Sequence, residues 1–303
     1  MQQEAATPGI FEKPLWRRIV DYPLVAMLIA TLIYIVAVSL GLGLRTVHLS
    51  VGPAWKAIVH AIVEIGIVLA VYKLVIVRLG EHPRDDLPAH GALRNLGLGL
   101  IAGLVIFSAI VGLAALVGVY RITGPGDTSR LVLDLVGVAI LPGFMEELLF
   151  RGILFRWIEE FGGSWAALIV TSALFGLAHI LNPNATWFSS FTIAVEAGVL
   201  LGGAYMLTRS LWFPMGLHAA WNFTQGEIFD VPVSGLGEHG LVQAKLSGPE
   251  LLSGGQFGLE ASILALLVAT AAGIWIVWLA VKRGELVQPR WSPRRVSANP
   301  AAP

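Results

Sequence analysis

Long apolar runs broken by short polar segments occupy most of the chain, and each run is long enough, as a helix, to cross a bilayer. Hydropathy places these runs at 22–44, 54–77, 94–119, 130–157, 163–181, 187–207, 211–229 and 259–281, with ends good to about three residues. The pattern predicts an all-α fold, a polytopic membrane helix bundle of about eight transmembrane helices. Residues 1–21 read as an N-terminal tail, 22–284 as the transmembrane helical domain and 285–303 as a disordered basic C-terminal tail. The stretch 230–258, rich in Gly, Ser and Pro, reads as the sizeable external loop.

The distribution of Lys and Arg tests this count, because an error of one span would scramble it. Fifteen of the twenty basic residues fall on one side, among them Lys13, Arg17, Arg18, Arg78, Arg84 and Arg156, whereas Arg45, Lys56, Arg121, Arg130 and Lys245 fall on the other. Both termini are therefore expected to be cytoplasmic; the membrane is separately expected to be a bacterial plasma membrane. Composition agrees: 56% hydrophobic residues and 13% charged, where a soluble domain carries about 25% charge. Zero formal net charge gives no reason to expect a nucleic-acid partner, and zero cysteines exclude disulfides, thiolate metal sites and a cysteine nucleophile.

Small residues at helical spacing, Gly97, Gly99 and Gly103 in the third span and Gly198, Gly202 and Gly203 in the sixth, read as faces for close helix packing. Lys56, His60 and Glu64 form one polar stripe on the second span, which either lines a cavity or pairs with itself or with Glu196 of the sixth span.

Charges inside an apolar run need a stronger reason, and Pro142 to Arg151 places three of them there. Glu147 and Arg151 are four apart with the acid first, the favourable orientation for a helical ion pair. They read as a mutually neutralising brace that leaves Glu146, turned by about 100°, as the available carboxylate. Pro142 and Gly143 upstream are where the helix can kink and admit water.

Three further polar groups follow on separate spans: His179, four after Phe175, and His218, four before Asn222. A carboxylate, two imidazoles and a carboxamide make the set needed for hydrolysis driven by water. Glu146 fits the base, with His179 orienting the water and protonating the leaving amine, while His218 and Asn222 fit as donors to the oxyanion. A metal version uses Glu146, His179 and His218 as zinc ligands around an open water position. No His-Glu-x-x-His motif is present, and Asn suits an oxyanion better than zinc, which favours the metal-free version and leaves both open. There is no Gly-x-Ser-x-Gly elbow, and Gly124-Pro125-Gly126-Asp127, a Gly-x-Gly-Asp sequence, reads as a turn in a loop rather than an aspartyl protease motif.

Glu146-Glu147-x-x-x-Arg151, Phe175-x-x-x-His179 and His218-x-x-x-Asn222, in this order, resemble the CPBP family of CAAX prenyl endopeptidase and bacteriocin-processing (Abi) membrane proteins. The resemblance covers about 130–230 and includes Phe150-Arg151-Gly152, Leu181-Asn182-Pro183-Asn184 and Trp221-Asn222-Phe223. It implies a protease site in a cavity open to the cytoplasm, with Glu146 and His179 as catalytic acid and base and His218 with Asn222 at the oxyanion. Its implied partners are membrane lipid and a protein or peptide substrate, and the family has been described both as metalloproteases and as glutamate enzymes. The alternatives are a non-catalytic membrane adaptor or immunity protein that keeps the core, and a transporter lined by Lys56, His60, Glu64 and Glu196, for which the paired broken helices are missing.

One expectation conflicts with upright helices of these lengths. Glu146, His179 and His218 lie about 11, 16 and 7 residues from the cytoplasmic ends of their spans, a spread of roughly 14 Å in depth. Tilt, a kink at Pro142-Gly143 or shifted span ends must close that gap.

Overall fold

A computed structural model describes residues 13–237 and 239–292. Helices α1 (Leu15–Asp21), α2 (Pro23–Leu44), α3 (Pro53–Leu74) and α4 (Ala92–Leu116) are followed by strand β1 (Tyr120–Pro125). Then come α5 (Leu131–Asp134), α6 (Leu141–Glu147), α7 (Arg156–Ala178), α8 (Trp187–Thr208) and α9 (Trp212–Phe223). Strand β2 (Val242–Leu246), the short α10 (Glu250–Ser253) and α11 (Ile263–Lys282) complete the fold.

Helical runs occupy all eight apolar stretches, yet only six are long and apolar enough to cross a membrane by themselves. The fourth and fifth stretches form one continuous run, Leu131–Leu181. It is turned at Gly163, whose φ of 82° is open to glycine and strained for other residues. The seventh stretch, α9 with one further π-helical turn at Thr224–Ile228, is too short to count. Outward faces carry large exposed apolar side chains such as Leu32, Ile101, Ile169 and Leu267, as lipid contact requires. The chain is an integral membrane helix bundle.

Close packing at small residues sets the architecture around α9. A Cβ on Gly99 would lie 2.2 Å from the Phe213 carbonyl oxygen, and one on Gly103 would lie 2.3 Å from that of Leu217. Both positions therefore hold α4 backbone to backbone against α9. Gly198, Gly202 and Gly203 instead make room for the side chains of Ser172, Leu168 and Val277, whereas Gly97 faces open space.

Polar stretches depart from their sequence readings in four places. Glu64 pairs with Arg45, at 2.9 Å to Nε, and not with Glu196, because the loop after α2 folds Arg45 back over the stripe. Gly124 and Pro125 extend strand β1, which pairs antiparallel with β2 through a bulge between Ile122 and Gly124, so the expected turn begins only at Asp127. The 230–258 loop thereby contributes a strand and is tied to the bundle. Residues 285–292, expected to be an unstructured tail, dock instead. Ser164 N–H donates to the Val287 carbonyl at 3.0 Å, and Arg290 grips Glu81 through two nitrogens at 2.8 and 2.9 Å. The rest of that tail, and residues 1–12 of the N-terminal one, lie outside the described residues.

Candidate active site

A loop and the turn at Gly163 bring the site residues together. Arg156 donates to the Arg84 carbonyl at 2.9 Å, Tyr205 to Asp86 Oδ1 at 3.0 Å, and the Leu211 N–H to the Asp86 carbonyl at 2.8 Å. Loop 79–91 therefore ties the start of α9 to Arg156 and Tyr205, and α9 carries His218 Nε2 to 3.9 Å from Glu146 Oε2. The run through α6 and α7 passes residue 157 and continues to the Gly163 turn, which sets Glu146 seventeen residues before the turn and His179 sixteen after it. The 14 Å spread read from the sequence does not keep the residues apart: Glu146 lies beside His218, and the Phe175 ring touches both histidines.

Helix α6 is flanked by π-helical turns at Leu135–Ile140 and Leu148–Phe155, a distortion frequent at functional sites. Glycine again permits the approach, since a Cβ on Gly143 would sit 3.0 Å from the Ala219 nitrogen of α9. Glu146 and Glu147 then diverge as helix geometry demands. Glu147 is wholly buried and its Oε1 accepts from Arg151 Nη1 at 2.9 Å, the brace expected from the spacing. The same Oε1 also accepts from His218 Nδ1 at 2.9 Å, a second partner that the spacing gave no sign of.

Glu146 keeps a side chain 34% exposed, and its Oε2, which has no hydrogen bond among the described residues, lies 3.9 Å from His218 Nε2. That is too long for a direct hydrogen bond and suits a water bonded to both atoms. Thus Glu146 is brought beside His218, whereas the sequence reading placed it with His179. The Phe175 ring joins the two halves: its centroid is 4.8 Å from the His179 ring and 6.0 Å from that of His218, and the Arg151 guanidinium lies 4.7 Å from it. His179 turns its Nδ1 onto the Phe175 carbonyl at 2.8 Å, and since a carbonyl only accepts, Nδ1 carries the proton and Nε2 is left for chemistry. Asn222 donates from Nδ2 to the Val138 carbonyl at 2.8 Å, in the π-helical turn, which fixes the carboxamide and leaves one N–H available.

With both Nδ1 atoms occupied, each histidine presents Nε2, which serves as a base or metal ligand when neutral and as a hydrogen-bond donor when protonated. The donors themselves do not converge on an ion. Three ligand atoms within 4.8 Å of one another occur, among the described residues, at Glu81, His82 and Glu160 near the docked C-terminal segment, and not at Glu146, His179 and His218.

A cavity of about 30 Å³ lies beside the site, lined by His179, His218, Trp221, Asn222, Ser234 and Glu260. Ser234 and Glu260 come from the long loop and from the turn before α11, where neither hydropathy nor spacing marks a functional residue.

No curated protein and no solved structure matches the chain. Residues 128–224, the segment that holds every motif of the site, match the family model for type II CAAX prenyl endopeptidase Rce1-like proteins, the family that the three motifs resemble.

Proposed function

We propose that the protein is an intramembrane endopeptidase that hydrolyses peptide bonds of a membrane-associated or lipidated protein or peptide. The observation that carries the reading is the approach of the unpartnered Oε2 of the partly exposed Glu146 side chain to His218 Nε2, backed by the buried Glu147–Arg151–His218 network. A water between Glu146 and the imidazole adds its oxygen to the carbonyl carbon while Glu146 takes its proton. His218, doubly protonated against Glu147, and the free Asn222 N–H donate to the oxyanion. The proton taken by Glu146 reaches the free Nε2 of His179 through water, and His179 hands it to the leaving nitrogen as the C–N bond breaks. Because Glu146, His179 and His218 do not converge on one ion, no step is drawn through a metal.

The family description supports a prenylated C-terminal substrate, and the bacterial reading supports an unmodified membrane peptide. The test is cleavage by the purified full chain in lipid vesicles, with a prenylated Cys-aliphatic-aliphatic-X peptide and an unmodified membrane-peptide library, each with and without a chelator. Cleavage that survives chelation is expected. A well-folded protein that cleaves neither substrate would leave the non-catalytic adaptor as the better account, and chelator-sensitive cleavage would turn the mechanism to zinc.

A further inference from the structure

Glu260 sits in the single 3₁₀ turn Leu259–Ala261 just ahead of α11, outside the segment 128–224 matched by the family. It is 3% exposed and lines the small cavity together with both site histidines. At about 30 Å³ that cavity has room for one water. The carboxylate is held deliberately. Ser234 donates its backbone N–H to Oε1, and it does so from a left-handed conformation, φ 50°, that a serine adopts only under constraint.

Packing on both sides over-determines that conformation. Gly235 next to it donates to the Phe257 carbonyl at 2.9 Å, and a Cβ there would collide with the Pro183 carbonyl at 1.8 Å. Pro183 follows the His179 turn, so one clamp holds Ser234, Glu260 and the end of α7 together. Burial pushes the Glu260 carboxyl above its ordinary range, and the charge of His179 pulls it back. Glu196 of α8 is fully buried with both oxygens unpartnered among the described residues.

The Nδ1 of His179 is fixed by the Phe175 carbonyl, but nothing on α7 fixes the Nε2 side of the ring. We propose that Glu260 is a positioning residue that orients the Nε2 side of His179 across the water-sized cavity, so that this imidazole is aimed at the leaving nitrogen. The inference rests on the protease reading above, in which His179 is the proton donor.

Glu260→Gln tests it, because glutamine still accepts from Ser234 and removes only the charge. In vesicles, with the peptide that the wild type cleaves, kcat is expected to fall about 10- to 100-fold, as for other partners that orient a site histidine, with KM unchanged. Glu260→Asp should restore part of the loss. Equal kcat for wild type and Glu260→Gln, with Glu146→Gln inactive, overturns the proposal and leaves the protease reading standing. A second readout needs no turnover: ¹⁵N spectra of histidine-labelled protein at one pH. Glu260→Gln is expected to move the His179 Nε2 resonance and spare that of His218, and an unmoved His179 overturns the proposal even if no peptide is cleaved.

Discussion

Glu147 and His218 are 71 residues apart in the chain and 2.9 Å apart in space, joined by a hydrogen bond from Nδ1 to Oε1. Because Arg151 shares that oxygen, the second acid of the motif holds the histidine of α9 and is itself neutralised. The brace thus belongs to the site as well as to the fold.

Removing the cation of this network strands a buried carboxylate. Arg151→Ala is expected to destabilise the protein by about 3–5 kcal/mol, read as a fall in thermal midpoint in detergent. Arg151→Lys should recover only part of it, since a point charge does not reproduce the planar guanidinium over Phe175. A midpoint unchanged by Arg151→Ala would show that the pair contributes nothing to folding.

The α4–α9 contact makes a sharper comparison within one helix. Gly103→Ala places a methyl 2.3 Å from the Leu217 carbonyl oxygen and should cost about 1–3 kcal/mol by overpacking. Gly97→Ala, in open space on the same helix, should melt no lower than wild type. Equal behaviour of the two variants would mean that α4 does not press on α9 at Gly103.

Glu260 gives a pH signature. A carboxyl raised by burial makes folding lose stability as pH climbs from the ordinary carboxylate range through its folded value, because the unfolded chain releases that proton first. Glutamine has no proton to lose. Glu260→Gln is therefore expected to melt no lower than wild type at pH 8, with the difference shrinking toward acid, while turnover falls. A variant that melts lower at pH 8 than at acid pH, relative to wild type, would mean that the carboxylate is a net stabiliser.

What the sequence made legible follows from range. The apolar runs, the Glu147–Arg151 pair and the small-residue faces depend on contacts within a helix or on hydropathy, and they are largely where spacing put them, Gly97 excepted, which faces open space. The partners across the fold were not legible. Arg45 reaches Glu64 from a loop, and loop 79–91 holds the start of α9 through two backbone carbonyls and the Asp86 carboxylate, contacts that no helical spacing reveals. Glu260 lies in Gly258-Leu259-Glu260-Ala261-Ser262, where a single acid before an apolar helix reads as an exposed first-turn charge. The docking of residues 285–292 likewise depends on Gly163, whose Cβ would meet Pro289 at 2.9 Å, a pairing visible only in three dimensions.

The most direct test of the central claim is the turnover of Glu146→Gln against wild type, in vesicles, on whichever peptide the wild type cleaves, with Glu147→Gln measured alongside and folding checked by thermal midpoint. Loss of about 10²- to 10⁴-fold in kcat with an unchanged midpoint is expected for Glu146→Gln, whereas Glu147→Gln should lose both turnover and stability. Cleavage by Glu146→Gln at the wild-type rate would contradict the assignment of Glu146 as the base that activates water.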